Sequence, residues 1–244
     1  MLKSREEQAT TDAVELLNIL NTLGFLHWDA VSPGICLRAA RNPALKSTER
    51  GNADDEASTQ ISFDMVMLRT EYVLPLWSCR KCPFVTHNER DDTYSMHPIL
   101  HRWVRGRPEM RLSEQALWAD VAGRLVAACI LFPPLGVSES DEKFHVSLLP
   151  HIDHIMRLRR QLAREISSTR ELRTSGRILV GSSTPDDADC ISMYAKFSQV
   201  YTKCGRWAEA VSLLEKVAEF FHTRLGPSEK GDEKHHSYVV NSLS

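Results

Sequence analysis

The stretch Tyr194-Ala195-Lys196-Phe197-Ser198-Gln199-Val200-Tyr201-Thr202-Lys203-Cys204-Gly205-Arg206-Trp207-Ala208-Glu209-Ala210 decides how this chain is read. Tyr194, Phe197 and Tyr201 recur at helical spacing, Gly205 breaks the helix, and a second helix follows from Arg206. The pattern predicts two antiparallel helices. Large residues of the first pack on the second, and Gly205 takes a turn conformation that a side chain would hinder. Ala210 is small enough to let the two helices approach, and Leu225-Gly226-Pro227 ends the second.

Six positions, Tyr194, Phe197, Tyr201, Gly205, Trp207 and Ala210, have the spacing of a tetratricopeptide repeat. Val217 falls where a small packing residue recurs, and Pro227 closes the unit. An ordinary helical hairpin matches some of these positions by chance; six together favour the repeat. A single repeat cannot bury both of its faces, and stability takes at least ~3 stacked units. Earlier helices must therefore serve as its neighbours, or the chain is cut short. In repeat geometry Gln199, Thr202 and Lys203 face the concave, peptide-binding side.

Working back towards the N-terminus, helix dominates. A first helix is expected from about Thr11 to Leu26, capped by Thr11 or Asp12 and weakened in its last turn by Gly24. A second is capped by Ser32, with Pro33 at its first position, and ends near Asn42-Pro43. Residues 42–60 read as a linker, too poor in apolar groups to offset the entropy of ordering. In Ile61 to Trp77, Met65, Leu68 and Tyr72 share a helix face, with a strand ranked lower. Cys79 to Asp92 has no clear period. Beyond Arg105, Ser113 is expected to cap a long helix running to Phe132, stopped by Pro133-Pro134. Another covers Ser140 to Leu149, and Pro150 marks a boundary. Ile152, Ile155, Leu158, Leu162 and Ile166 carry the next helix, with Arg157, Arg159, Arg160 and Arg164 on its other face. Residues 167–186 read as a loop, after which Thr184-Pro185 opens the first helix of the hairpin.

The densest run of uncommon residues is Thr93-Tyr94-Ser95-Met96-His97-Pro98-Ile99-Leu100-His101-Arg102-Trp103-Val104-Arg105. Cys79-x2-Cys82, then 14 residues, then His97-x3-His101, comes close to a two-Cys-two-His zinc pattern. Phe84 falls too early for the core aromatic of such a finger, and Pro98 suits a helix start better than a finger's mid-helix. A zinc-stabilised module on Cys79, Cys82, His97 and His101 stays as the alternative reading. His151-x2-His154 shares a helix face, but no third ligand is evident.

Composition excludes several classes. The 244 residues carry 30 Lys and Arg against 32 Asp and Glu, a balance unlike that of a nucleic-acid binder. The longest apolar run, Leu125 to Phe132, falls short of the about 20 residues that cross a bilayer. Met1 to Asp12 lacks the apolar core of a signal peptide. The six cysteines have no framework spacing, as expected for reduced thiols in the cytosol. No Gly-x4-Gly-Lys-Ser/Thr loop and no Gly-x-Ser-x-Gly elbow occurs. Independent enzymatic activity and a cofactor of its own are not expected.

Tyr94 to Arg105 closely resembles the segment ending the winged-helix region of fungal NLR-like, STAND-type signal-transduction ATPases of the NB-ARC/NACHT–tetratricopeptide kind. Leu16-Leu17-Asn18-Ile19-Leu20 through Phe25-Leu26-His27, with Ile35 and Arg38-Ala39, is similar to its opening helices. Glu114 to Trp118, Pro133 to Gly136, and Asp141 to Phe144 with Leu148 to His154 resemble its linking helices. Ala195 to Ala210 resembles its first repeat, close to kinesin-light-chain repeats. The resemblance implies that Met96 and His97 belong to a nucleotide-sensor motif, His97 meeting the β-phosphate of ADP in a full-length protein. The third motif position is Pro98 where the family has Asp.

The expected organisation is mainly α, a partial winged-helix region followed by tetratricopeptide-like hairpins. Residues 1–41 hold the N-terminal helices of the winged-helix region, 42–60 a linker, and 61–111 the degenerate remainder, where Trp77 to Arg90 looks too short for, and unlike, the reading helix and strands that the family places ahead of the motif. Linking helices fill 112–186, the hairpin 187–230, and 231–244 the truncated start of a next repeat, with the chain looking cut at both ends. The implied role is a non-catalytic, cytoplasmic scaffold that binds a protein partner or itself, with no nucleic acid and no membrane.

Overall fold

The computed structural model describes residues 17–42, 84–131, 139–168 and 188–225. Thr11, most of the linker, Ile61 to Trp77, Cys79, Cys82, Thr184-Pro185 and residues 231–244 lie outside these described residues. Among the described residues the fold is mainly helical with one small antiparallel sheet. Among the described residues no helix is long and apolar enough to cross a membrane.

Residues 17–24 form α1 and Gly34–Ala40 form α2. Gly24 does more than weaken a last turn. A Cβ placed on it would lie 2.5 Å from Cγ1 of Val104, so the glycine lets another helix approach closely. Val104 is β-branched and cannot swing aside. Gly24→Val is expected to destabilise the fold by about 1–3 kcal/mol, read as a lower urea midpoint at unchanged slope. At α2, Ser32 Oγ accepts from Gly34 N–H at 3.1 Å, and Pro33 occupies the cap position just before the helix.

The least periodic part of the sequence holds the first strand of the sheet. Val85–Asn88 (β1) pairs antiparallel with Thr93–Met96 (β2), Val85 opposite Met96 and Asn88 opposite Thr93. His87 stacks on Tyr94 at 4.4 Å between ring centres. Val31, between α1 and α2, adds an isolated antiparallel bridge to Tyr94, its N–H donating to the Tyr94 carbonyl at 2.8 Å and its carbonyl accepting from Tyr94 N–H at 2.9 Å. Of the stretch from Trp77 to Arg90, Val85–Asn88 forms one strand, and its partner lies beyond it at Thr93–Met96.

Pro98–Gly106 forms α3, with His97 as its cap and Pro98 at the first position, where its missing N–H costs nothing. Leu112–Ala128 (α4) is the central helix, buried through most of its length from Trp118 onward. It starts one residue before Ser113, and the stabilising contact comes from the other direction. Glu114 Oε2 accepts from Arg111 N–H at 3.1 Å, so Glu114 reaches back where Ser113 was expected to reach forward. The helix ends at Ala128, ahead of Pro133-Pro134.

Glu139–Ser147 (α5) and Leu149–Ser168 (α6) break at the buried Leu148, with Pro150 in the first turn of α6. Ile152, Ile155 and Leu162 are buried as their spacing predicts. Arg159 is not part of the solvated basic face. It turns inward to the carboxylate of Asp120, which is buried on α4. Ala188–Lys203 (α7) and Trp207–Leu225 (α8) form the hairpin. Gly205 between them has φ +72°, and a Cβ there would touch nothing, so the requirement is backbone conformation alone. The hairpin packs on α4, α5 and α6 through α7. Those earlier helices are the neighbours of the hairpin.

Candidate functional site

Within the hairpin, Tyr194, Phe197, Tyr201 and Ala210 are buried, as is Val217. Lys216 lies over the Tyr194 ring at 5.2 Å. Tyr201 does two things at once. Its ring fills the hairpin core while its hydroxyl donates to Asp153 Oδ1 of α6 at 2.8 Å. Arg206, in the turn, pairs with both Asp153 and Glu209 and sits 5.0 Å from the Tyr201 ring centre. This knot fastens the hairpin turn to α6.

Trp207 stands apart from its fellow motif positions. It is 64% exposed and does not pack between the helices. With Val211 at 52% and Leu214 at 47% exposure it forms an apolar stripe along α8 at i, i+4, i+7. The face that packs on α7 is carried instead by Ala210, Leu213, Val217 and Phe220. So α8 has two apolar stripes, one covered and one open to solvent. The open stripe was visible in the sequence as the spacing Trp207-x3-Val211-x2-Leu214, but the turn geometry that exposes it was not.

The candidate concave residues Gln199, Thr202 and Lys203 lie on the less buried side of α7. Thr202 Oγ1 donates to the Ser198 carbonyl at 2.9 Å. Lys203 Nζ approaches His145 Nδ1 of α5 at 3.2 Å. Gln199 Oε1 is shielded from solvent without a hydrogen-bond partner. Part of this face therefore rests on α5.

Met96 is buried at the end of β2, its N–H donating to the Trp28 carbonyl at 2.7 Å. His97 is exposed, and its Nδ1 accepts from Ile99 N–H at 3.2 Å. Ile99 and Trp103, also on α3, are 71% and 53% exposed. His101, four residues on, is buried. Its Nε2 meets the Leu26 carbonyl at 2.8 Å, and its Nδ1 meets Arg105 Nη2 at 3.4 Å, leaving neither nitrogen free for an ion. Cys79 and Cys82 lie outside the described residues. Among the described residues no group of three or more His, Cys, Asp or Glu side chains is placed to hold a metal. The buried thiols are poor nucleophiles as well, since burial pushes Cys36 up to about 12 and raises Cys129 too.

No family model matches the chain, and comparison with curated proteins and with solved structures gave no significant match. What the geometry itself defines is a helical protein with an open apolar stripe on its last described helix.

Proposed function

We propose that this chain is a non-catalytic protein–protein interaction scaffold, a fragment of a cytoplasmic NLR-like signalling protein of the NB-ARC/NACHT–tetratricopeptide type. It binds a protein partner, or a second copy of itself, through the hairpin of α7 and α8. The observation that carries this reading is the open stripe of Trp207, Val211 and Leu214. An amphipathic helix has one reason to be apolar on the side that packs, and α8 is apolar on two sides. Its second stripe is the size and spacing that a further helix covers. Two features support the resemblance, one for each of its parts. The described residues run helix, isolated bridge at Val31, helix, and later a β-hairpin directly ahead of α3, and a helix pair beside an antiparallel hairpin is part of the winged-helix pattern. The buried aromatic set of α7 with Gly205 at positive φ supports the repeat.

The test is recovery of bound protein on tagged chain expressed in cells, compared with Val211→Glu/Leu214→Glu. Both side chains are exposed, so circular dichroism and thermal melting should match the parent. The parent is expected to retain a protein partner or an untagged copy of itself. The variant should lose it by about 30-fold or more, the cost of removing an interface anchor worth ~2 kcal/mol. Recovery of neither, or equal recovery by the variant, would overturn the proposal.

A further inference from the structure

Four imidazoles meet where the loop after α1, helix α3 and the start of α6 converge. The ring centre of His27 lies 6.2 Å from His151 and 6.1 Å from His154, and that of His101 lies 5.5 Å from His154. Their hydrogen bonds need unprotonated acceptors. His151 Nδ1 accepts the backbone N–H of His27 at 3.2 Å. The Arg105 guanidinium, itself permanently charged, donates to His101 Nδ1 and His154 Nε2 at 3.4 Å each. A proton on any of these nitrogens removes the acceptor and places a cation where a hydrogen bond was.

We propose that His101, His151 and His154 of this cluster form a proton-sensitive latch: unprotonated at neutral pH they hold α3 on α6, and in mild acid they let α3 and the β-hairpin lift while α7 and α8 stay folded.

The surrounding charge favours release. Arg105 faces the cluster from α3 and Arg157 from α6, so any added proton meets two guanidinium groups. Asp29, from the loop after α1, is the carboxylate that faces His151, and it is engaged by the Ser95 hydroxyl and by Ala30 N–H at 3.0 Å. Asp153 of α6 is turned to Tyr201 and Arg206. Burial holds His151 and His101 down to about 4. Burial, reinforced by Arg105, holds His154 down to about 3. A histidine freed to solvent titrates near ~6.5. Between those values the opened state binds more protons than the latched one. The latch is therefore at full strength above pH ~6.5 and weakens as pH falls towards 4. Each ring freed on opening shifts that equilibrium by about 20-fold between pH 7 and pH 5.

Other parts of the molecule do not depend on these rings. Helix α2 is fixed on α4 by buried Ile35 and Ala39 and by Asn42 Nδ2 donating to the Ala128 carbonyl at 2.8 Å. The hairpin of α7 and α8 has its own aromatic core.

Amide hydrogen exchange of the whole chain at pH 7 and pH 5, expressed as protection factors, tests the latch. Protection over 93–106 should fall about 20-fold or more while 193–220 changes little. His151→Asn/His154→Gln, which keeps uncharged acceptors, should flatten that pH response. Imidazole nitrogen shifts read by NMR give a second measure that needs no variant, and the rings of His151 and His154 should stay neutral at pH 6. Equal protection over 93–106 at the two pH values, the same loss in the double variant, or rings that titrate near ~6.5 with α3 still protected would each overturn the proposal.

Discussion

Replacing Asp120 with alanine is expected to lower the unfolding free energy by about 3–5 kcal/mol at neutral pH. Asp120 is buried on α4, and its carboxylate receives Arg159 of α6 and Arg124 one turn along its own helix, the latter at 2.8 Å. Arg124 continues to Asp189 of α7, and Arg159 Nη2 lies 3.2 Å from the Cys190 sulfur. One carboxylate thus ties α4 to α6 and, through its two arginines, to α7. Alanine leaves the Arg159 guanidinium, only 16% exposed, desolvated without its counter-charge. The size of the effect comes from that stranded charge and not from the worth of the pair. A double change, Asp120→Ala with Arg159→Met, should therefore recover most of the lost stability. Urea unfolding measures both. A loss under ~1 kcal/mol in the single variant would mean that the pair is screened like a surface bridge.

The second large effect separates two aromatic residues that the repeat spacing treats alike. Phe197→Ala is expected to cost about 3–5 kcal/mol, because the ring is 0% exposed at the centre of the hairpin core and leaves a cavity behind. Trp207→Ala should change stability by no more than about 0.5 kcal/mol, since most of its surface already faces water. The same alanine should weaken partner binding strongly, as loss of a large aromatic anchor does. Thermal melts and binding measured on the same two variants separate the contributions. Equal destabilisation by both would place Trp207 in the hairpin core and contradict the open stripe.

Much of the helical fold was legible because its signals are local. Gly205 with Tyr194, Phe197 and Tyr201 announces a hairpin, and Pro98 after His97 announces a helix start. The β-hairpin was not legible. Val85-Thr86-His87-Asn88 is short and its turn, Glu89-Arg90-Asp91-Asp92, has no glycine; Asp92 itself takes the positive φ of 47°. Non-local chemistry was hidden for a different reason. His27, His101 and His154 lie far apart in the chain, and only the packing of α3 on α6 gathers them. The spacing His97-x3-His101 advertised a pair, yet a cap residue points its side chain back to its own helix while the next turn points inward. Arg159 looked like one more member of a basic face because the carboxylate that draws it inward lies on another helix.

The central claim is that the open stripe of α8 is a contact face. Sedimentation velocity of the purified chain, alone across a hundredfold concentration range and with any co-purified partner, tests it most directly when run beside Val211→Glu/Leu214→Glu. A larger species formed by the parent and absent from the variant, with both melting alike, is the predicted result. A parent that stays a single small species under every condition, or a variant that assembles as well as the parent, would contradict it.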